Sequence, residues 1–231
     1  MTSSPLIIAP TPEAFVSEAA DHLAGLIKAA IAERGRCTIA LSGGSTPGPI
    51  YTRLAETPGI DWAKVALLLA DERCVPMTST ESTQGLITDV LIKHLPARPL
   101  RFIVPDTRLD PPVAAEDYAF EVEELLDVDP LDICVLGMGD DGHIASIFPP
   151  VDEAALGAGT AFHAIQDRFP IQDRISLTLP ILENTRYPVL LLSGPKKKAT
   201  WEEMLASKEG PGRWPFKAIL ADGRAAIFAR W

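Results

Sequence analysis

Cysteine is scarce. Cys37, Cys74 and Cys134 are the three in 231 residues, too few and too scattered for a disulfide framework or a metal knuckle. Cys37 and Cys134 sit inside apolar runs and read as small core residues, whereas Cys74 adjoins a charged stretch where a thiol could react. Histidine is scarce too, at four, and with no HExxH or second histidine pair a metal site is not expected. No apolar run approaches the roughly 18 residues of a membrane span. The start, MTSSPLIIAPTPEAF, lacks the basic beginning and long apolar stretch of a secretory signal. A cytoplasmic location is expected. Basic residues are the minority, 21 Lys and Arg against 31 Asp and Glu, for a formal charge of −10. Nucleic acid and anionic membranes need a broad basic field, so neither is an expected partner. A small anionic ligand needs only local donors and stays open.

What is present is core. Hydrophobic residues make up 47% and charged residues 23%, the balance of a globular chain. No repeat, linker or low-complexity tract interrupts it, so 1–231 is expected to form one domain. A short apolar start at Leu6–Ile8 precedes a helix opened by Thr11 and Pro12. Phe15, Ala19, Leu23, Ile27 and Ile31 recur at i+4 as its buried stripe. Apolar runs then alternate with helical segments. Strands are predicted at 36–41, 65–70, 101–104, 131–137, 187–194 and 225–229, and helices near 47–55, 82–94, 113–126 and 195–206. ISLTLP (175–180) alternates more and reads as an edge or extra strand. The other runs are nearly continuous in apolar residues, the signature of strands covered on both faces. The spacing predicts a three-layer, Rossmann-like α/β fold with a mainly parallel central sheet; strand order does not follow from it.

Polar and glycine-rich sequence collects at three strand ends, where open α/β sheets bind ligands. SGGSTP follows the strand at 36–41. Gly43 and Gly44 allow close backbone approach, Ser42, Ser45 and Thr46 offer hydroxyls, and helix N–H groups suit phosphate. The plain alternative is a capped turn with Pro47 starting the helix. The Lys of a Walker loop is missing, which argues against a nucleoside triphosphate. DERCVP follows the strand at 65–70. Its Arg73 could fork onto phosphate, or pair with a carboxylate to fix the loop, with Glu72 orienting it. GMGDDGHIASIFP follows the strand at 131–137 and contains a false lead. Gly137, Gly139 and Gly142 spell GxGxxG, but Asp140 and Asp141 would repel a pyrophosphate. The ribose acid is absent, and Pro149 and Pro150 stop any helix. No nucleotide cofactor is expected. Asp140, Asp141 and His143 are also too tightly spaced for three metal ligands. Proton transfer remains for His143, with a nearby carboxylate holding its tautomer; Asp141 is the candidate, and Asp140 stays open. The plain alternative is a loop histidine bonded to backbone. His22, His94 and His163 have no motif around them.

LSGGSTP, DERCVP, GMGDDGHIASIFP and RISLTLP occur in the order and approximate spacing of 6-phosphogluconolactonases, and the chain resembles that family over nearly its full length. Single motifs are shared with glucosamine-6-phosphate deaminases of the same superfamily. The resemblance implies a Rossmann-like fold without a nucleotide and hydrolysis of 6-phosphogluconolactone to 6-phosphogluconate in the pentose phosphate pathway, with neither metal nor cofactor. It implies His143 as the base that activates water, and Arg73 and the Ser42–Pro47 loop as phosphate ligands. Asp71 matches the acid that positions substrate hydroxyls or Arg73. The later basic positions, implied as further substrate or phosphate ligands, fall on Arg168, where Lys is more usual, and Arg174. Ser82 and Thr83 stand where the family often has Ser-Asn, and Ile144 replaces a common Thr. Two other readings share the scaffold: an amino-sugar phosphate deaminase or isomerase, and a non-catalytic sugar-phosphate sensor. Deaminases typically follow GHIA with FNEP, and here SIFP carries no carboxylate.

Overall fold

The apolar runs become strands because each of their two faces has a helix layer to meet. A computed structural model describes residues 4–127 and 129–231. Its strands are β1 (Leu6–Ile8), β2 (Cys37–Leu41), β3 (Val65–Leu69), β4 (Asp71–Arg73), β5 (Arg101–Ile103), β6 (Ile133–Leu136), β7 (Ala161–Ile165), β8 (Asp173–Leu177), β9 (Tyr187–Ser193) and β10 (Ala226–Arg230). Its helices are α1 (Pro12–Arg34), α2 (Gly48–Ala55), α3 (Thr83–Val90), α4 (Pro111–Leu126), α5 (Leu179–Glu183), α6 (Pro195–Ala206) and α7 (Phe216–Leu220). Seven strands lie in the order β1-β10-β9-β6-β2-β3-β5, every pairing parallel, and β4-β8-β7 form a small antiparallel sheet.

Side chains still alternate along each strand; they simply find apolar neighbours both ways. In β3, Val65, Leu67 and Leu69 join Leu23 and Ile27 of α1 and Tyr51 of α2 in one core. Ala66 and Leu68 face the other core with Tyr118 of α4 and Trp201 of α6. Tyr118 ties helix to sheet through its hydroxyl, which donates to Leu69 O at 2.5 Å and accepts from Leu69 N at 3.1 Å. No helix among the described residues is long and apolar enough to cross a membrane.

Strand order creates the crevice. β2 and β6 are neighbours, yet the chain leaves β2 for α2 on the first face and leaves β6 for β7 and β8 on the second. Exits that part to opposite faces open a cleft at the strands' carboxyl ends.

Several expectations shift. On α1, Thr11 Oγ1 accepts from Ala14 N at 3.1 Å as predicted, but Ala30 is buried where Ile31 was expected and Ile31 is only partly covered. Each i+4 step overshoots a 3.6-residue turn by about 40°, so four steps carry Ile31 roughly 160° off the stripe. The helix near 82–94 splits into α3 and a 3-10 turn at Ile92–His94. DERCVP is not all loop, because Asp71–Arg73 pair with β8. ISLTLP contributes an extra strand, β8, at the centre of the small sheet and not at an edge, while its last residues open α5.

Candidate active site

The loop after β2 is shaped by what crowds it. A Cβ at Gly43 would lie 2.6 Å from Thr83 Oγ1, so only glycine lets α3 come this close, and Gly44 has φ +100°. Tyr51 Oη donates to Ser42 O at 3.0 Å, anchoring the loop to α2. Pro47 precedes the helix, whose first residue is Gly48, and among the described residues no side chain caps it. The capped-turn alternative is therefore not what forms. Ser42 Oγ is buried without a protein partner among the described residues.

Alternation along β4 sorts DERCVP by face. Asp71 and Arg73 point to the cleft; Glu72 points away, so it does not orient the Arg73 guanidinium as expected. Glu72 instead accepts from Thr83 N at 2.8 Å, Gln84 N at 2.7 Å, Arg73 N at 2.7 Å and Ser82 Oγ at 3.0 Å. Burial pushes its carboxyl up, and those four donors oppose the shift. Ser82 also caps α3 by accepting from Gly85 N at 3.0 Å. Arg73 Nη1 donates to Glu81 O at 2.7 Å, with the Glu81 carboxylate 3.9 Å away. Asp71 Oδ2 accepts from Ser146 Oγ at 2.7 Å, joining β4 to the segment after His143.

Arg174 lies directly opposite Arg73 in the β4–β8 register. Like charges so placed repel. Burial lowers the Arg174 pKa first and the Arg73 charge lowers it further, while Asp71 and Glu81 pull it up. The guanidinium carbon of Arg174 stands 4.9 Å from the Phe169 ring centre. The Nε atoms of both arginines are buried without a protein partner among the described residues. With Ser42 Oγ, three unsatisfied polar groups therefore line one cavity, two of them cationic donors.

The GMGDDGH stretch is a tight turn. Gly139 N donates to His143 O at 2.8 Å and Gly142 N to Gly139 O at 3.0 Å. Its glycines serve the turn: a Cβ on Gly139 would sit 2.1 Å from His143 Nδ1, and Gly142 has φ +90°. Asp141 settles beside the imidazole, with Oδ1 2.5 Å from His143 Nδ1 and 3.1 Å from His143 N, while Oδ2 takes Arg168. Burial works to raise the Asp141 carboxyl, but the His143 hydrogen bond and charge, aided by Arg168, hold it well below the usual carboxylate range. Asp140 turns away to Lys197 Nζ at 2.6 Å. His143 packs 4.8 Å from Phe148 between ring centres.

One cavity of about 530 Å³ is lined by Ser42–Pro47, Asp71, Arg73, Asp141, His143, Arg168 and Arg174. Every residue named from sequence as catalytic or substrate-binding is in it. Lys197 and Phe169 line it too and escaped sequence reading, and Thr83, noted there only as a departure from the family's Ser-Asn, lines it as well. For Lys197 a signal existed: SGPKKK follows β9, a fourth polar strand end on the same side of the sheet. No group of three or more His, Cys, Asp or Glu that could hold a metal occurs among the described residues.

The layers and the switch-point cavity define the class, a three-layer α/β protein with an imidazole–carboxylate pair and paired guanidinium groups at the strand ends. A family model described as glucosamine-6-phosphate isomerases/6-phosphogluconolactonase matches residues 10–228, and the chain belongs to that family. It is 36% identical over 226 residues to a probable 6-phosphogluconolactonase of Dictyostelium discoideum, covering 94% of each chain. It is 36% identical over 210 residues to 6-phosphogluconolactonase of Pseudomonas putida, covering 88% of this chain and 84% of that one. Among solved structures, 6-phosphogluconolactonase from Shewanella baltica OS155 superposes with TM-score 0.86 at 27% identity, covering 99% of this chain and 97% of that one.

Proposed function

We propose that the protein, as one domain over 1–231, hydrolyses 6-phospho-D-glucono-1,5-lactone to 6-phospho-D-gluconate in the cytoplasm, without metal, cofactor or nucleic-acid partner. The observation that carries this reading is the sharing of one cavity by the His143–Asp141 pair and the Ser42–Thr46 loop with Arg73 and Arg174. The curated relatives bear the name of this activity over most of their length.

The chemistry follows from the two ends of the cavity. The phosphate dianion takes the loop N–H groups, the Ser42 hydroxyl and the two guanidinium groups, which relieves their mutual repulsion. Arg168, held on Asp141, stands instead at the imidazole end. With its Nδ1 proton on Asp141, His143 keeps a lone pair on Nε2 for water. Water oxygen bonds to C1 as its proton passes to Nε2, and charge grows on the carbonyl oxygen beside the cationic lining. The bond from C1 to the ring oxygen then breaks, and the imidazolium returns its proton to that oxygen as a hydroxyl. Asp71 is placed to accept from a sugar hydroxyl. Remote phosphate binding fixes C1 against the water.

A deaminase reading needs a carboxylate near the ring-opening side. Phe148 stands where the FNEP motif would put it, packed on His143. The test is base uptake at constant pH while freshly made lactone opens, with and without protein, repeated with unphosphorylated gluconolactone and with an ammonia assay on glucosamine 6-phosphate. Loss of the base should cost about 10²–10⁴ in kcat for His143→Ala with a modest change in KM. Near-normal turnover by that variant removes the base assignment; ammonia release without lactone opening removes the function.

A further inference from the structure

Resting on that assignment of His143 and Asp141, we propose that Arg213 is a positioning residue, gripping the Asp141 backbone so that its carboxylate stays against the imidazole. The Asp141 side chain has two claimants, His143 on one oxygen and Arg168 on the other. A backbone free to rotate there would leave the carboxylate's place against the ring unset, since Arg168, its other claimant, is itself 44% exposed. Arg213 prevents this from behind. Its Nη1 donates to Asp141 O at 2.8 Å, and its guanidinium carbon lies 3.7 Å from the Trp214 ring centre. Trp214 is buried and is itself pressed on the turn, since a Cβ at Gly142 would meet its ring at 2.5 Å. Arg213 N and Trp214 N both donate to Gly210 O at 3.0 Å, and Val151 N donates to Gly212 O at 2.9 Å, which makes the support stiff. Thr200 Oγ1 holds the neighbouring carbonyl, Asp140 O, at 3.2 Å. A planar guanidinium stacks flat on the ring while its N–H groups donate in its own plane; an ammonium has no such plane.

The test uses R213M, which keeps the stem on Trp214 and loses the donor, beside R213K and the His143→Ala variant. Misplacement of a catalytic group by about 1 Å costs up to ~10²-fold. R213M is therefore expected to lose roughly 10–100-fold in kcat, with KM within about twofold, and R213K to fall between it and the unaltered protein. Free guanidinium ion should recover part of the R213M rate, because Arg213 and Asp141 border a second open cleft of about 760 Å³. The low-field proton resonance of the short Nδ1–Asp141 bond should weaken in both variants. An R213M kcat within about threefold of normal, or a change confined to KM, overturns the proposal. If R213M does not fold, R213K decides, and a normal kcat with an unaltered resonance overturns it. A His143→Ala variant of normal activity would instead strike the assignment beneath it, so the two failures are distinct.

Discussion

Replacing Asp141 by asparagine keeps the side-chain shape and removes the charge, so it isolates what the carboxylate does for His143. The bond at stake is 2.5 Å long and charge-assisted. Such a bond contributes about 1.5–3 kcal/mol, or roughly 10–150-fold in rate if it is lost only as the imidazolium forms. Asparagine adds a second fault. If its amide N–H turns toward Nδ1, the ring proton must move to Nε2, the nitrogen that has to accept from water. The expected fall in kcat is about 10–10³, bounded by the ~10²–10⁴ that removing the base itself costs. KM should change little, because Arg73, Arg174 and the Ser42 loop are untouched. The assay is base uptake at constant pH, with spontaneous lactone opening subtracted, for D141N, His143→Ala and the double variant. If Asp141 acts through His143, the double variant is no slower than His143→Ala alone. A D141N loss larger than that of His143→Ala, or two losses that multiply, would refute the reasoning. Stability offers a second readout. The folded Asp141 carboxyl titrates below its unfolded value of about 3.9, so its contribution is present above that pH and lost as pH falls through the folded value. D141N should show a shallower acid limb in thermal melts.

Arg174→Ala should raise KM for the phosphorylated lactone roughly 10–100-fold by removing a charge-assisted contact of about 1.5–3 kcal/mol, while leaving unphosphorylated gluconolactone nearly unaffected. Equal losses on both substrates, measured by base uptake, would place Arg174 elsewhere than at the phosphate. Glu72→Gln leaves a carbonyl and an amide facing four donors. About two donors then go unsatisfied at roughly 1–3 kcal/mol each, so Tm should fall by about 4–24 °C. An unchanged Tm in calorimetry would mean that the cap on α3 is dispensable.

The two-sided burial of β2, β3, β6 and β9 was legible because it writes long apolar runs, and the layer architecture follows from those runs. The pairing of β2 with β6 was not, because parallel strands of the same composition are interchangeable to a reader of one sequence. Yet the residues that line the cavity could be gathered from sequence, since polar residues directly after such strands all fall at one end of a parallel sheet whatever the order. The misreadings around the cavity share a cause: they concern side chains whose partners are distant in sequence. Glu72 looked like Arg73's neighbour along the chain, but a three-residue strand turns it to the opposite face, where Ser82, Thr83 and Gln84 claim it. β7, with Ala161 and Ile165 at its ends, carries too little alternation to announce itself. Thr83 drew notice only as a departure from the family's Ser-Asn; its contact with Gly43 has no motif to announce it. Asp141 over Asp140 was a choice between adjacent acids, decided by Gly142: its left-handed φ bends the chain so that residue 141 meets the ring while residue 140 meets Lys197. The glycine that imitated a nucleotide fingerprint is thus the one that selects the carboxylate, and a Cβ there would strike Trp214 before it altered any charge.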